Sequence, residues 1–207
     1  MIDLGKKEIG DEGMVQLAGA LPSCPLVDTL LLDWNLIGDE GAEMLAGALP
    51  TCTYLTVLNL EDNMIGKHGA AALAKGLEGC PTLATLLLGS NLLGDAGVKA
   101  LASILPGCSA LHTLQLGWNG IHEKGVQALA EALGGCRQLR TLRFQTNPIG
   151  PGGASRLAQA LPACQMLEIL DLHCNGVGDE GAATLSSVLH LVPSLAALYL
   201  DQVRASP

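Results

Sequence analysis

Apolar residues in this chain follow two spacings in turn, and the alternation recurs. Leu30 and Leu32 stand two apart and lead into Asn35; Leu114, Leu116 and Asn119 do the same. A period of two predicts a short strand whose alternate side chains point inward. Shortly after, the segment IGDEGA at 37–42 opens a run in which Ala42, Leu45, Ala46 and Leu49 fall three or four apart. That spacing predicts a helix buried along one face. Asp39 and Glu40 suit the positive end of its dipole, and Pro50 marks its stop. In one unit Pro151 takes the place of the Asp, which suits the first turn of a helix.

The step of the recurrence is 28 residues. Cys24, Cys52, Cys80, Cys108, Cys136 and Cys164 keep it, as do Asn35, Asn63, Asn91, Asn119, Asn147 and Asn175. So do Gly13, Gly41, Gly69, Gly97, Gly125, Gly153 and Gly181. Six full units run 26–53, 54–81, 82–109, 110–137, 138–165 and 166–193, with partial units at 1–25 and 194–207. No linker separates them, so one domain over 1–207 is expected. A strand, a turn and a helix of this length cannot close a core alone, so the units must stack. Stacked strands lie about 4.8 Å apart, whereas stacked helices need roughly 8–10 Å. The stack must therefore curve, with the sheet inside and the helices outside. Eight short parallel strands and seven helices are expected.

The pattern LxxLxLxxNxIGDEGAxxLAxALxxC resembles the leucine-rich repeat of the ribonuclease-inhibitor-like subclass over essentially the whole chain. The resemblance implies an α/β fold: a curved solenoid, or horseshoe, with a parallel sheet on the concave face and α-helices on the convex face. It also implies a surface that binds macromolecules. The units are similar to those of NOD-like receptors and Ran GTPase-activating proteins.

Several recurring residues have a structural explanation. Equivalent cysteines in a solenoid run parallel into the core, and the CxxC pairs of a zinc site are absent. They read as buried free thiols packing as small hydrophobes. Six unbridged core thiols suit a reducing compartment, so a cytoplasmic location is expected. The asparagines read as an internal ladder satisfying backbone groups at the turn after each strand. The glycines allow a tight turn and close helix approach, and no GxxxxGK[ST] phosphate loop occurs. No cofactor and no metal site are expected.

Composition refines this picture. The chain is 49% hydrophobic but has only five aromatic residues, so its core is aliphatic. The net charge is −9, with no run of Lys or Arg, which argues against nucleic acid and anionic membrane as partners. Eight acids sit at helix starts: Asp11, Glu12, Asp39, Glu40, Asp95, Glu123, Asp179 and Glu180. Setting them aside takes −9 to −1, so overall acidity says little about a basic partner. Two uncharged stretches, 100–122 and 181–200, reach membrane-spanning length, but Pro106, Gly107 and Pro193 interrupt them and both fit the repeat. The N-terminus has no apolar signal-peptide core.

Function is expected where the units differ. Three side chains per unit should face outward from the inner sheet: just before, just after and two after the second strand leucine. In these columns Asp33, Glu61 and Asp62 form an acidic patch around Trp34. Leu87, Gly89, Gly117 and Trp118 predict a flatter apolar centre, followed by Arg140 and Arg143 and then Asp171, His173 and Asp201. Trp34, Trp118 and Tyr199 place three of the five aromatics on this face, and Trp, Tyr and Arg are typical anchors of interfaces. The expected partner is a protein or peptide on the concave face.

Only Asp171, His173, Cys174 and Asp201 cluster in a way that could do chemistry. His173 and Cys174 are neighbours on an open sheet without an enclosed pocket, so a non-catalytic interaction module is expected. The alternative is a GTPase activator resembling the Ran type, although the acidic tail of that family is absent. The chain begins in a strand and stops just after one, with only Lys6 and Lys7 to blunt the first edge. End-to-end self-association, or continuation into a larger chain, is the expectation there.

Overall fold

In the computed structural model, which describes residues 1–200, Leu30, Leu58, Leu86, Leu114, Leu142, Leu170 and Leu198 stand opposite one another on neighbouring strands. Each step is one 28-residue unit. Eight parallel strands result: β1 (Ile2–Asp3), β2 (Thr29–Leu31), β3 (Val57–Asn59), β4 (Thr85–Leu87), β5 (Thr113–Gln115), β6 (Thr141–Arg143), β7 (Ile169–Leu172) and β8 (Ala197–Leu200). They lie side by side in chain order. Seven helices cover the other side: α1 (Gly10–Ala20), α2 (Asp39–Ala48), α3 (Lys67–Leu77), α4 (Gly94–Ile104), α5 (Glu123–Leu133), α6 (Gly150–Ala160) and α7 (Gly178–Val188). Most end in a tightened 3₁₀ turn with Pro at its second position, as at Leu49–Thr51. This is the curved solenoid expected from the repeat. Its core is leucine, isoleucine, valine and alanine, and Phe144 is the one aromatic within it.

The asparagines form the internal ladder. Asn147 shows the arrangement. Its Oδ1 accepts from the N–H groups of Asn119 and Ile121, one unit back, at 3.1 and 3.0 Å. Its Nδ2 donates to the carbonyls of Leu116 and Phe144 at 3.0 and 2.9 Å. One side chain therefore satisfies buried backbone groups of two adjacent units, where the chain leaves the sheet and cannot pair with itself.

The repeated glycines let the helices approach. A Cβ at Gly69 would lie 2.9 Å from the Cβ of Ala42 on the helix before it. It would also lie 2.7 Å from Asp39 Oδ1, and that carboxylate has a role the sequence reading did not foresee. Asp39 Oδ1 accepts from Gly66 and Gly69 N–H, at 2.7 and 2.8 Å, and so caps the helix of the next unit. Asp11 does this for Gly38 and Gly41, and Asp95 for His122 and Gly125. The acids sit in the first turn of their own helices as expected, but their hydrogen bonds tie neighbouring helices together.

The cap sets the backbone ahead of each helix. After an Asp, the residue before the helix is extended: Gly38, Gly66 and His122 have φ near −100° (−95, −98 and −109°). Where the preceding unit has Lys67, Glu123 or Pro151, the equivalent Gly94, Gly150 and Gly178 turn left-handed, at φ +56, +66 and +62°. Gly94 and Gly150 N–H then bond to the carbonyls of Asn119 and Asn175 instead. His122 can replace glycine because Asp95 spares it that conformation. Asp95→Ala should cost about 2 kcal/mol, and about 1 kcal/mol less when His122→Gly is also present, because glycine takes the alternative turn without strain. Urea unfolding of the four variants measures this; a penalty that His122→Gly leaves unchanged would refute the linkage.

The cysteine column is mostly as expected, with two corrections. Cys52, Cys80, Cys136 and Cys164 are buried, and all seven cysteines carry thiols. Burial pushes Cys80 and Cys164 up to about 11 and Cys136 to about 12, so these thiols stay protonated and inert. Cys108 is only half-buried. Cys24, at the end of the first helix described, is exposed.

Candidate functional site

The pleat of the strands decides what the concave face presents. In β2, Leu30 is buried while Thr29 and Leu31 are half-exposed on the other side. The column through Asp3, Leu31, Asn59, Leu87, Gln115, Arg143, Asp171 and Tyr199 therefore faces the concavity, in strand register. A further column, Thr29, Val57, Thr85, Thr113, Thr141, Ile169 and Ala197, faces the same way and was missed from sequence. Period two would have found it: a residue two before an outward one is outward as well.

Past each of the strands β1 to β7 the chain turns left-handed. Lys6, Trp34, Asp62, Ser90, Trp118, Thr146 and Cys174 all have φ between 53 and 59°. The ladder imposes this: Trp34 N–H bonds to the Glu61 carbonyl at 3.0 Å, and Trp118 N–H to the Gln145 carbonyl at 2.9 Å. A bulky residue is unusual in this conformation. Trp34 and Trp118 adopt it with side chains 56% and 59% exposed, so neither ring is folded into the core. Trp34 also lines an open cleft of about 370 Å³ with Lys6 and Glu8.

The acidic patch is organised. Asp33 Oδ1 accepts from Asn59 Nδ2 at 3.2 Å, and Asn59 Oδ1 accepts from Glu61 N–H at 3.0 Å. Glu61 is half-buried. That burial raises its pKa above the usual carboxylate value; Asp62 and Asp33 push the same way, against a hydrogen bond from Gln115 and the charge of Arg143.

The centre differs from the flat apolar patch expected from sequence. Gly89 and Gly117 are buried. A Cβ on Gly89 would lie 2.9 Å from Glu61 Oε1 and 3.3 Å from Gln115 Cγ; on Gly117 it would lie 2.4 Å from Gln145 Cδ. Side chains of adjacent units fold over the glycines. Gln115 is 8% exposed and its Oε1 accepts from Gly117 N–H at 2.9 Å. The centre is thus an amide strip, with half-exposed Leu87 on one side and exposed Trp118 on the other.

Arg143 is exposed on β6 between Gln115 and Asp171. Arg140 precedes β6, outside the strand columns, and is paired with Glu168 of the next unit. At the far end, Asp171 Oδ1 accepts from His173 N–H at 3.2 Å and lies 2.6 Å from Nδ1, which orients the exposed imidazole. Tyr199 stands beside Asp171 and is 53% exposed. Asp201 lies outside the described residues. An oriented imidazole on an open sheet can donate or accept a hydrogen bond from a partner. Among the described residues no three His, Cys, Asp or Glu side chains converge as a metal site would require, and no helix is long and apolar enough to cross a membrane.

The leucine-rich repeat family model matches residues 23–46, 51–74, 79–102, 107–130 and 163–186. The unmatched unit carries Phe144, Pro148 and Pro151 at positions where the others carry different residues. No curated protein is significantly similar in sequence. Among solved structures, actin-binding site 2 of leiomodin-1 is similar at a TM-score of 0.60 and 22% identity, over 75% of this chain and 87% of that one. The ectodomain of the Arabidopsis thaliana receptor kinase GASSHO1/SCHENGEN3 gives 0.39 and 18%, over 88% of this chain and 28% of that one. The plant peptide hormone receptor RGFR1 gives 0.40 and 17%, over 88% and 41%. Five matched segments cover more than half of the sequence, and strand, asparagine turn and helix recur at the matched step. The chain belongs to the leucine-rich repeat family.

Proposed function

We propose that this protein is a non-catalytic interaction module that holds a protein or peptide on its concave face. The observation that carries this is the pair Trp34 and Trp118. Both rings are exposed, in one column of the concave surface, on a turn where a smaller residue would fit with less strain. Around them Asp33, Glu61, Asp62, Leu87, Arg143, Asp171, His173 and Tyr199 supply charged, polar and apolar contacts. A cationic group from a partner would relieve the crowding of Glu61 by Asp62 and Asp33. Arg140 contributes from the rim, through its pair with Glu168. The leiomodin-1 domain of similar fold is an actin-binding site; at 22% identity only the fold is shared, and the partner is not carried over.

The finer readings rest on the same footing. A 28-residue unit with helices on the convex side supports the ribonuclease-inhibitor-like subclass. Four buried thiols without bridges support a reducing compartment, the cytoplasm. One domain spanning 1–207 is supported by the unbroken sheet through residue 200. A photo-crosslinking residue at Leu87, on the concave face, is expected to capture the partner in source cells. The same group at Ser103, exposed on α4, is expected to leave it uncaptured. Capture only from Ser103 would refute the concave site.

A further inference from the structure

A strip of exposed apolar side chains lies outside the strand columns, on the ridge where the chain passes from sheet to helix. Leu36, Met64 and Leu92 occupy one position of three consecutive units and are 57%, 54% and 64% exposed. Backbone bonds hold these turns in line: Met64 N–H donates to the Ile37 carbonyl at 2.8 Å, and Leu92 N–H to the Ile65 carbonyl at 2.9 Å. The three side chains therefore emerge side by side, roughly 5 Å apart. The fold does not require them. The same position holds Glu8 before them and Gly120, Pro148 and Gly176 after them. Leu36 even sits at φ +59°, which Gly120 and Gly176 adopt without a Cβ penalty.

The charge of the chain is concentrated in the same region. Residues 1–62 contain eleven Asp and Glu against two Lys, a balance of −9; residues 63–207 contain nine of each sign, a balance of zero. Helix-start chemistry explains the place of some carboxylates, but not why the first units hold the entire surplus. Asp33, Glu61 and Asp62 precede the strip residues by two or three positions, on the sheet side of the turn, Glu40 follows in the first turn of α2, and Lys67 begins α3. Among the described residues, no ion pair neutralises Asp33, Glu40, Glu61 or Asp62.

We propose that the ridge of Leu36, Met64 and Leu92 docks a partner segment presenting a row of aliphatic or aromatic side chains flanked by Lys or Arg. Burial of the row supplies affinity, and the surrounding carboxylates supply orientation and a faster encounter. A second copy of this chain is a poor occupant, because it brings the same surplus of negative charge to the contact. The inference goes beyond the concave-face reading, since all three residues lie outside its columns.

The test uses a phage-displayed library of random peptides selected on the full chain alone, with the enriched peptides then measured against the variant Leu36→Asn, Met64→Ser, Leu92→Ser. Asparagine tolerates the left-handed turn, and all three positions are exposed, so the variant should melt with the wild type. Enriched peptides are expected to be basic and apolar and to bind the variant about tenfold or more weakly. They should bind less as salt rises, and with a shallower salt dependence to Asp33→Asn, Asp62→Asn, which leaves the strip intact. They should bind Trp118→Asn as they bind the wild type, which separates this strip from the central concave site. Enriched peptides that are acidic, peptides that bind the triple variant equally, or no enrichment at all would overturn the proposal. So would a wild-type dimer in sedimentation that the triple variant disperses.

Discussion

Asn147→Ala should be the most damaging single truncation of a polar side chain in this fold, with a loss of about 4 kcal/mol. The Asn119 and Ile121 N–H groups would lose their acceptor in a buried turn. The Leu116 and Phe144 carbonyls would lose a donor in the same place. Asn147→Asp would keep an acceptor but point a buried carboxylate at those carbonyls. Its pKa would rise in the folded state, so this variant should be least stable at neutral pH and recover part of the loss as pH falls from that raised pKa to the ordinary carboxylate value, as the protonated form regains a donor. Because Asn147 joins adjacent units, the damage should also split the unfolding transition, as nearest-neighbour coupling in a solenoid implies. Urea unfolding followed by circular dichroism reads both effects. A single transition shifted by under about 1 kcal/mol would contradict the ladder.

The parts of the fold that were legible in the sequence were those repeated at the 28-residue step. Leu114, Leu116 and Asn119 each specify a local state, and six copies remove the ambiguity of one. The capping role of Asp11, Asp39 and Asp95 was not legible. Each carboxylate has an adequate local explanation in its own helix dipole, while the N–H groups it binds lie 27 and 30 residues further on. At the candidate site, period two located the concave columns, and the exposed tryptophans followed from them. The lie of the side chains did not follow. Gln145 covers Gly117 only because the neighbouring unit brings it there, so a pair of glycines read as a flat surface. Arg140 is close to Arg143 in sequence but precedes the strand and pairs with Glu168, a contact with the next unit that sequence proximity does not carry. The ridge of Leu36, Met64 and Leu92 is not legible in the sequence because it lies between the strand and helix periodicities and belongs to neither.

Replacing both tryptophans should separate binding from stability. Trp34→Asn and Trp118→Asn remove two exposed rings from left-handed turns that asparagine accepts more readily. Neither ring fills the core, so the double variant should unfold at the same denaturant concentration as the wild type or slightly above it. Interface anchors of this kind typically carry 2 kcal/mol or more, which is about 30-fold in affinity for each ring. A structural role for the rings would give the opposite pairing: lower stability with binding intact.

The affinity of the partner captured through Leu87, measured by calorimetry against the wild type and the Trp34→Asn, Trp118→Asn variant, tests the concave-face claim most directly. A loss of affinity of at least about 30-fold, at undiminished stability, is the predicted result. Equal affinity for the two proteins would contradict it.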